Sequence, residues 1–131
     1  MPKQPDRNIR ILIVDDHPVV RAGLTSMLGA QPGLEVVGSA SSGEEALAMI
    51  ESHTPDLLLL DLRMPGMNGI DTLLAMKRSG VSARAIVLTS YETDEDIYRA
   101  VQAGTGGYLL KDTSRQEMLE AIRVEIGRAH V

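Results

Sequence analysis

Five polar side chains able to do phosphate or metal chemistry stand at the ends of four apolar runs. Ile11-Leu12-Ile13-Val14 stops at Asp15-Asp16, Leu57 to Leu60 at Asp61, Ile86-Val87-Leu88 at Thr89, and Tyr108-Leu109-Leu110 at Lys111. If the runs are parallel strands of one sheet, their carboxyl ends share an edge and these groups meet in one crevice. Three carboxylates, a hydroxyl and an ammonium there suggest a site that binds a divalent cation and accepts a phosphoryl group.

Each residue also has a plainer reading. Asp15 or Asp16 could cap a helix beginning near Pro18, and Asp61 could be a turn residue before Leu62-Arg63-Met64-Pro65-Gly66. Thr89 could be an ordinary β-branched strand residue, Tyr108 a core residue and Lys111 a surface lysine. The carboxylates as a group are harder to explain this way. Two unit charges 4 Å apart repel by ~1 kcal/mol in bulk water and ~4 kcal/mol at an effective dielectric near 20, so three gathered without a cation are unfavourable. All-oxygen ligation favours Mg²⁺ or Mn²⁺ over zinc, because the sequence offers no Cys and no pair of neighbouring His. With a cation in place, one carboxylate can act as nucleophile while the metal and Lys111 neutralise charge on the incoming phosphoryl group. The histidines carry no motif: His17 reads as a first-turn surface residue, His53 ends a helix and His130 is terminal.

The elements that must position these groups alternate strictly. Strands are expected at about 9–14, 34–39, 57–60, 85–89 and 106–110, and helices at about 17–29, 43–52, 69–79, 94–103 and 114–125. Pro18 suits a first helical turn. Ser42 with Glu45 and Ser114 with Glu117 have capping-box spacing, and Gly80 and Gly104 can end their helices. Val20, Leu24, Met27 and Leu28, and later Ile70, Leu73 and Leu74, form apolar faces able to cover a sheet. The unbroken Leu57 to Leu60 run predicts a central strand buried on both faces, whereas Leu34-Glu35-Val36-Val37-Gly38 reads as an edge. Right-handed crossovers then favour an α/β, flavodoxin-like, doubly wound five-stranded parallel sheet of order 2-1-3-4-5 with five helices. Its switch point lies between the first and third strands, where Asp15, Asp16 and Asp61 fall.

Bulk properties bound the rest. A chain of 131 residues, 44% hydrophobic, supports one core, and with three Tyr, no Phe and no Trp that core must be aliphatic and methionine-filled. The absence of Cys excludes disulfides and thiolate chemistry and fits a reducing cytoplasm. No run approaches the ~20 apolar residues of a membrane span, and no secretory leader is expected in the polar stretch from Met1 to Asn8. A net charge of −5 argues against a direct grip on nucleic acid.

As a set, Asp15-Asp16, Asp61, Thr89, Tyr108 and Lys111 resemble the receiver domain of two-component response regulators, over about Ile9 to Ile122. Leu88-Thr89-Ser90-Tyr91 and Gly106-Gly107-Tyr108-Leu109-Leu110-Lys111-Asp112 look most like the NarL/FixJ-type subfamily, whose members commonly carry a LuxR-type helix-turn-helix output domain. The resemblance implies that Asp61 is the phosphoacceptor. Asp16, Asp61 and the backbone carbonyl of Arg63 would ligate Mg²⁺, with Mn²⁺ able to substitute, and Asp15 would act through metal-bound water. Lys111 and Thr89 would bind the phosphoryl group, and Thr89 with Tyr108 would form the switch pair. A sensor histidine kinase would be the donor, a homodimer would form on phosphorylation, and DNA would be reached only through an output domain. Such a protein is cytoplasmic, touches no membrane, and is not an enzyme in the turnover sense, although it assists its own phosphorylation and dephosphorylation. Asp112 stands where many receivers have proline after the lysine, and Thr105-Gly106 makes the approach to the last strand small and flexible.

The expected organisation is a disordered segment 1–8, a receiver domain 9–124 and a non-native or truncated tail 125–131. Glu125 to Val131 resembles read-through into a common sequencing-library adapter, so the natural gene is expected to continue into a DNA-binding domain. A deliberately cut domain, or a stand-alone receiver acting by protein–protein contact, are the alternatives. Two other classes share parts of the pattern. A flavodoxin-like cofactor binder wants a phosphate-cradling loop where Asp15-Asp16 would repel phosphate, and a Mg²⁺-dependent aspartyl-phosphate hydrolase usually has two aspartates separated by one residue.

Overall fold

The computed structural model describes residues 8–89 and 94–128. Strands and helices alternate as β1 (Ile9–Val14), α1 (Pro18–Gly29), β2 (Leu34–Ala40), α2 (Gly43–His53), β3 (Leu57–Leu60), α3 (Gly69–Arg78), β4 (Arg84–Thr89), α4 (Asp94–Gln102), β5 (Gly107–Leu110) and α5 (Arg115–Arg128). All strand pairs are parallel, in the order β2-β1-β3-β4-β5, which is the expected doubly wound sheet. The segment 1–7, most of the stretch expected to be disordered, lies outside the described residues, as do 129–131.

Strand geometry sends successive side chains to opposite faces, and the core divides accordingly. Leu12, Val14, Leu58, Leu60 and Val87 pack with Ala46 and Ile50 of α2, Leu73 and Met76 of α3, and Ala100 of α4. Ile11, Ile13, Leu57, Leu59, Ile86 and Leu88 pack with Leu28 of α1 and Met118, Leu119 and Ile122 of α5. All four leucines of β3 are buried, because helices cover both sides. At about 1.5–3 kcal/mol for each large aliphatic side chain removed from water, this strand is the most strongly anchored part of the sheet for its length.

The helix ends show which local signals were sufficient. Ser114 and Glu117 form a reciprocal box, each side chain meeting the other's backbone N–H. Ser42 accepts from the Glu45 N–H, but Glu45 reaches past it to the N–H and hydroxyl of Ser41. Asn68 and Asp71 make a further box at the start of α3, with Asp in the place usually held by Glu. Gly80 and Gly104 follow α3 and α4 with φ of +69° and +102°, the left-handed region that glycine enters without a Cβ clash.

One of the plainer readings and two expectations need correction. Neither Asp15 nor Asp16 caps α1: the N-cap is His17, with no side-chain cap bond, and Pro18 begins the helix. The approach to β5 is tied down, since the Thr105 hydroxyl lies 3.1 Å from the Ala85 carbonyl and 2.8 Å from that of Gly107, and the Gly106 N–H also donates to Ala85. Finally, α5 runs past its expected end at about 125, to Arg128. Ile126 continues the stripe of Met118 and Ile122 into the core, and Glu125 Oε2 pairs with Arg84 Nε at 3.0 Å.

Candidate functional site

Sheet register brings the polar strand ends together. Val14 is aligned with Leu60, so the next residues, Asp15 and Asp61, emerge side by side, and the Asp61 N–H donates to the Val14 carbonyl at 2.8 Å. Thr89 is aligned with Leu110, and the N–H of Lys111 donates to the Thr89 carbonyl at 2.7 Å. Lys111 then extends across the crevice. Its Nζ is 2.7 Å from Asp15 Oδ2 and 3.4 Å from Asp61 Oδ2.

The acidic groups are held out of water to different degrees. Asp15 is 2% exposed and Asp61 4%, while Asp16 reaches nearer the solvent. Burial, reinforced by the neighbouring Asp15 carboxylate, pushes the Asp61 carboxyl up from its ordinary 3.8 to about 6. The Lys111 ammonium and the Arg63 N–H, 3.4 Å from Asp61 Oδ1, pull the other way without cancelling that cost. One lysine therefore does not satisfy the site.

The donor set fits a small divalent cation. One ligand atom from each of Asp15, Asp16, His17 and Asp61 lies within 4.8 Å of the others. Asp16 Oδ1 is shielded from solvent and accepts no hydrogen bond among the described residues. A buried carboxylate oxygen without a donor is costly, and a metal ion at this point would remove that cost.

Of the residues singled out by sequence, Asp15, Asp16, Asp61 and Lys111 meet directly. Thr89 is buried at the end of β4, one rung beyond Asp61. Tyr108 lies half-buried against the core on the α4 side, two positions before Leu110 on β5. Arg63 belongs to the loop after Asp61, and its guanidinium pairs with Asp96 of α4. The peptide between Lys111 and Asp112, like every other described peptide bond, is trans.

Two contributors escaped the sequence reading. Arg21 Nη1 donates to the Asp15 backbone carbonyl at 2.7 Å, bracing the β1 end from α1. His17, expected on the surface, does keep an exposed ring, yet its N–H donates to Asp15 Oδ1 at 2.8 Å and its Nδ1 stands 2.9 Å from that oxygen. The signal available was adjacency: a residue directly after two carboxylates at a strand end cannot avoid their loop.

Comparison with known proteins agrees with this geometry. The family model for the response regulator receiver domain matches residues 11–123. The nitrate/nitrite response regulator NarL of Escherichia coli K12 is 43% identical over 112 residues, covering 86% of this chain and 52% of that protein. NarP of the same organism is 45% identical over 114 residues, covering 87% and 53%. The chain thus spans about half the length of the curated relatives it matches. Among solved structures, a LuxR-family two-component response regulator from Aurantimonas sp. SI85-9A1 superposes with a TM-score of 0.86 at 32% identity, covering 92% of this chain and 86% of that one. Among the described residues, no helix is long and apolar enough to cross a membrane. With its fold, its acidic crevice and its sequence in agreement, the chain belongs to the response regulator receiver domain family of two-component systems and is of the NarL type.

Proposed function

We propose that Asp61 is the phosphoacceptor and that a sensor histidine kinase supplies the phosphoryl group. The observation that carries this reading is the placement of Lys111 Nζ between Asp15 and Asp61 at the edge of the sheet. An Asp61 carboxylate oxygen attacks the phosphorus of a phosphoimidazole. The P–N bond breaks, its electron pair stays on the imidazole, and an acyl phosphate forms on Asp61. Asp16, Asp61 and the Arg63 carbonyl would hold Mg²⁺ or Mn²⁺, with Asp15 acting through bound water. The bound cation supplies charge neutralisation for the transferring phosphoryl oxygens. Lys111 and the Thr89 hydroxyl give further donors to those oxygens, so the receiver assists its own phosphorylation and later hydrolysis without turning over an external substrate.

The same reading makes Thr89 and Tyr108 the switch pair. New acceptor oxygens on Asp61 draw the Thr89 hydroxyl, and Tyr108, already half-buried, moves deeper on the α4 side. The consequence would be homodimerisation and, through an output domain, transcriptional control of DNA in the cytoplasm. Incubation with acetyl phosphate and Mg²⁺, followed by phosphate-affinity electrophoresis, tests the acceptor. The Asp61→Asn variant should label not at all, and stoichiometric labelling of that variant would place the acceptor elsewhere.

A further inference from the structure

We propose that His17 supplies a nitrogen ligand to the cation held by Asp16 and Asp61, so that this site takes imidazole-preferring divalent ions more readily than its carboxylates alone would. The inference rests on the metal-dependent reading above and concerns a residue which that reading leaves unused.

The argument begins with distances. In octahedral coordination with bonds of about 2.0–2.1 Å, neighbouring ligand atoms lie about 2.9 Å apart and opposite ones about 4.1 Å. His17 Nδ1 is 3.1 Å from Asp16 Oδ1, near the length of such an edge, and 2.9 Å from Asp15 Oδ1, which holds the ring by a hydrogen bond. The full set, including an Asp61 oxygen, lies within 4.8 Å, somewhat wider than the opposite vertices of such an octahedron. Asp16 Oδ1 accepts no hydrogen bond despite the nearness of the ring, so the imidazole is placed beside that oxygen without satisfying it. A cation between them would satisfy that oxygen.

The backbone explains why the ring stays there. His17 is the N-cap of α1 with extended φ and ψ of −98° and 113°, and Pro18 fixes the next φ. Its N–H is held by Asp15 Oδ1, so the loop that aims Asp15 into the crevice also directs the ring back over it. Without an ion, Nδ1 donates its proton to Asp15 Oδ1 at 2.9 Å, since a carboxylate can only accept; ligation takes the other tautomer, with the proton on the exposed Nε2 and the Nδ1 lone pair turned to the metal. Carboxylates suit Mg²⁺ and Mn²⁺, whereas imidazole suits Ni²⁺ and Zn²⁺.

Calorimetric titration of the whole chain with Mg²⁺ and, separately, Ni²⁺ tests the proposal in wild type, His17→Ala and His17→Asn. His17 makes no side-chain cap bond, and both variants keep the N–H that meets Asp15, so the fold should be retained. Both should weaken Ni²⁺ binding by about tenfold or more while changing Mg²⁺ binding by less than about threefold. In wild type, Zn²⁺ should move the His17 Nδ1 signal in ¹⁵N NMR. Equal loss for Mg²⁺ and Ni²⁺, no loss for either, or an Nδ1 signal unmoved by saturating Zn²⁺ would overturn the assignment and leave the ring as a hydrogen-bond donor only. The phosphoacceptor reading is judged separately, because acetyl-phosphate labelling of Asp61 with Mg²⁺ does not depend on these titrations.

Discussion

The guanidinium of Arg63 is paired with the carboxylate of Asp96, so the residue two places after Asp61 is joined to a helix that starts beyond β4. Arg63 is half-exposed, which limits the bond to about 0.2–1 kcal/mol. Its value is as a connection rather than a prop. We predict that Asp96→Ala lowers unfolding free energy by no more than about 1 kcal/mol but raises amide exchange in the first turn of α4. Unchanged exchange there, measured by mass spectrometry, would show that the pair couples nothing.

Lys111 is mostly buried and lies 2.7 Å from the almost fully buried Asp15. Removing one member of such a pair leaves an uncompensated charge, which costs about 3 kcal/mol or more. Metal-free Lys111→Ala should therefore unfold at markedly lower urea concentration than wild type, and Mg²⁺ should restore most of the difference. Mg²⁺ affinity itself should not fall, while phosphorylation should no longer change oligomeric state, as read by light scattering.

The raised carboxyl of Asp61 gives a pH dependence of defined sign. Because the folded state holds this proton up to about pH 6 and the unfolded chain releases it near 3.8, ionisation disfavours the metal-free fold. That penalty is absent below pH 4, grows through the window between the two values, and is complete above it. Asp61→Asn removes the penalty, so the variant should gain on wild type as pH rises from 4 to 7, by at most about 3 kcal/mol. Mg²⁺ affinity of the wild type should fall as pH drops below about 6. Parallel denaturation curves for the two proteins across that range would contradict both statements.

Gly69 sits where the start of α3 meets the loop after Asp61. A Cβ built there would lie 2.5 Å from the Asp61 carbonyl oxygen and 2.9 Å from the Leu62 Cα, both backbone atoms that cannot swing aside. Gly69→Ala should cost about 1–3 kcal/mol and slow labelling by displacing Asp61. Wild-type thermal stability and labelling rate in the variant would show that the loop adapts.

Much of this could be read from the chain because the strands end on polar residues. Asp15, Asp61, Thr89 and Lys111 each follow an apolar run, and parallel topology alone carries those ends to one edge. Signals at helix ends were less complete. The Asn68–Asp71 box was missed because Asp replaces the usual Glu, and α5 was ended early although Ile126 stands four residues after Ile122 on the same stripe. His17 and Arg21 carry no periodic signature, since their roles depend on a loop turning back on itself and a long side chain reaching a carbonyl. Long-range pairs such as Arg63 with Asp96 depend on three-dimensional proximity between a loop and a distant helix, which no spacing rule encodes.

The four leucines that carry Asp61 to the edge of the sheet are hidden on both faces, whereas all four residues of β5 are only half-covered. If Asp61 takes the phosphate, as proposed, the group is added at the end of a strand packed on both faces, which gives it little room to recoil. Motion provoked by that charge would then be spent in the less covered flank formed by α4 and β5, and the message would leave sideways from the point where it was written.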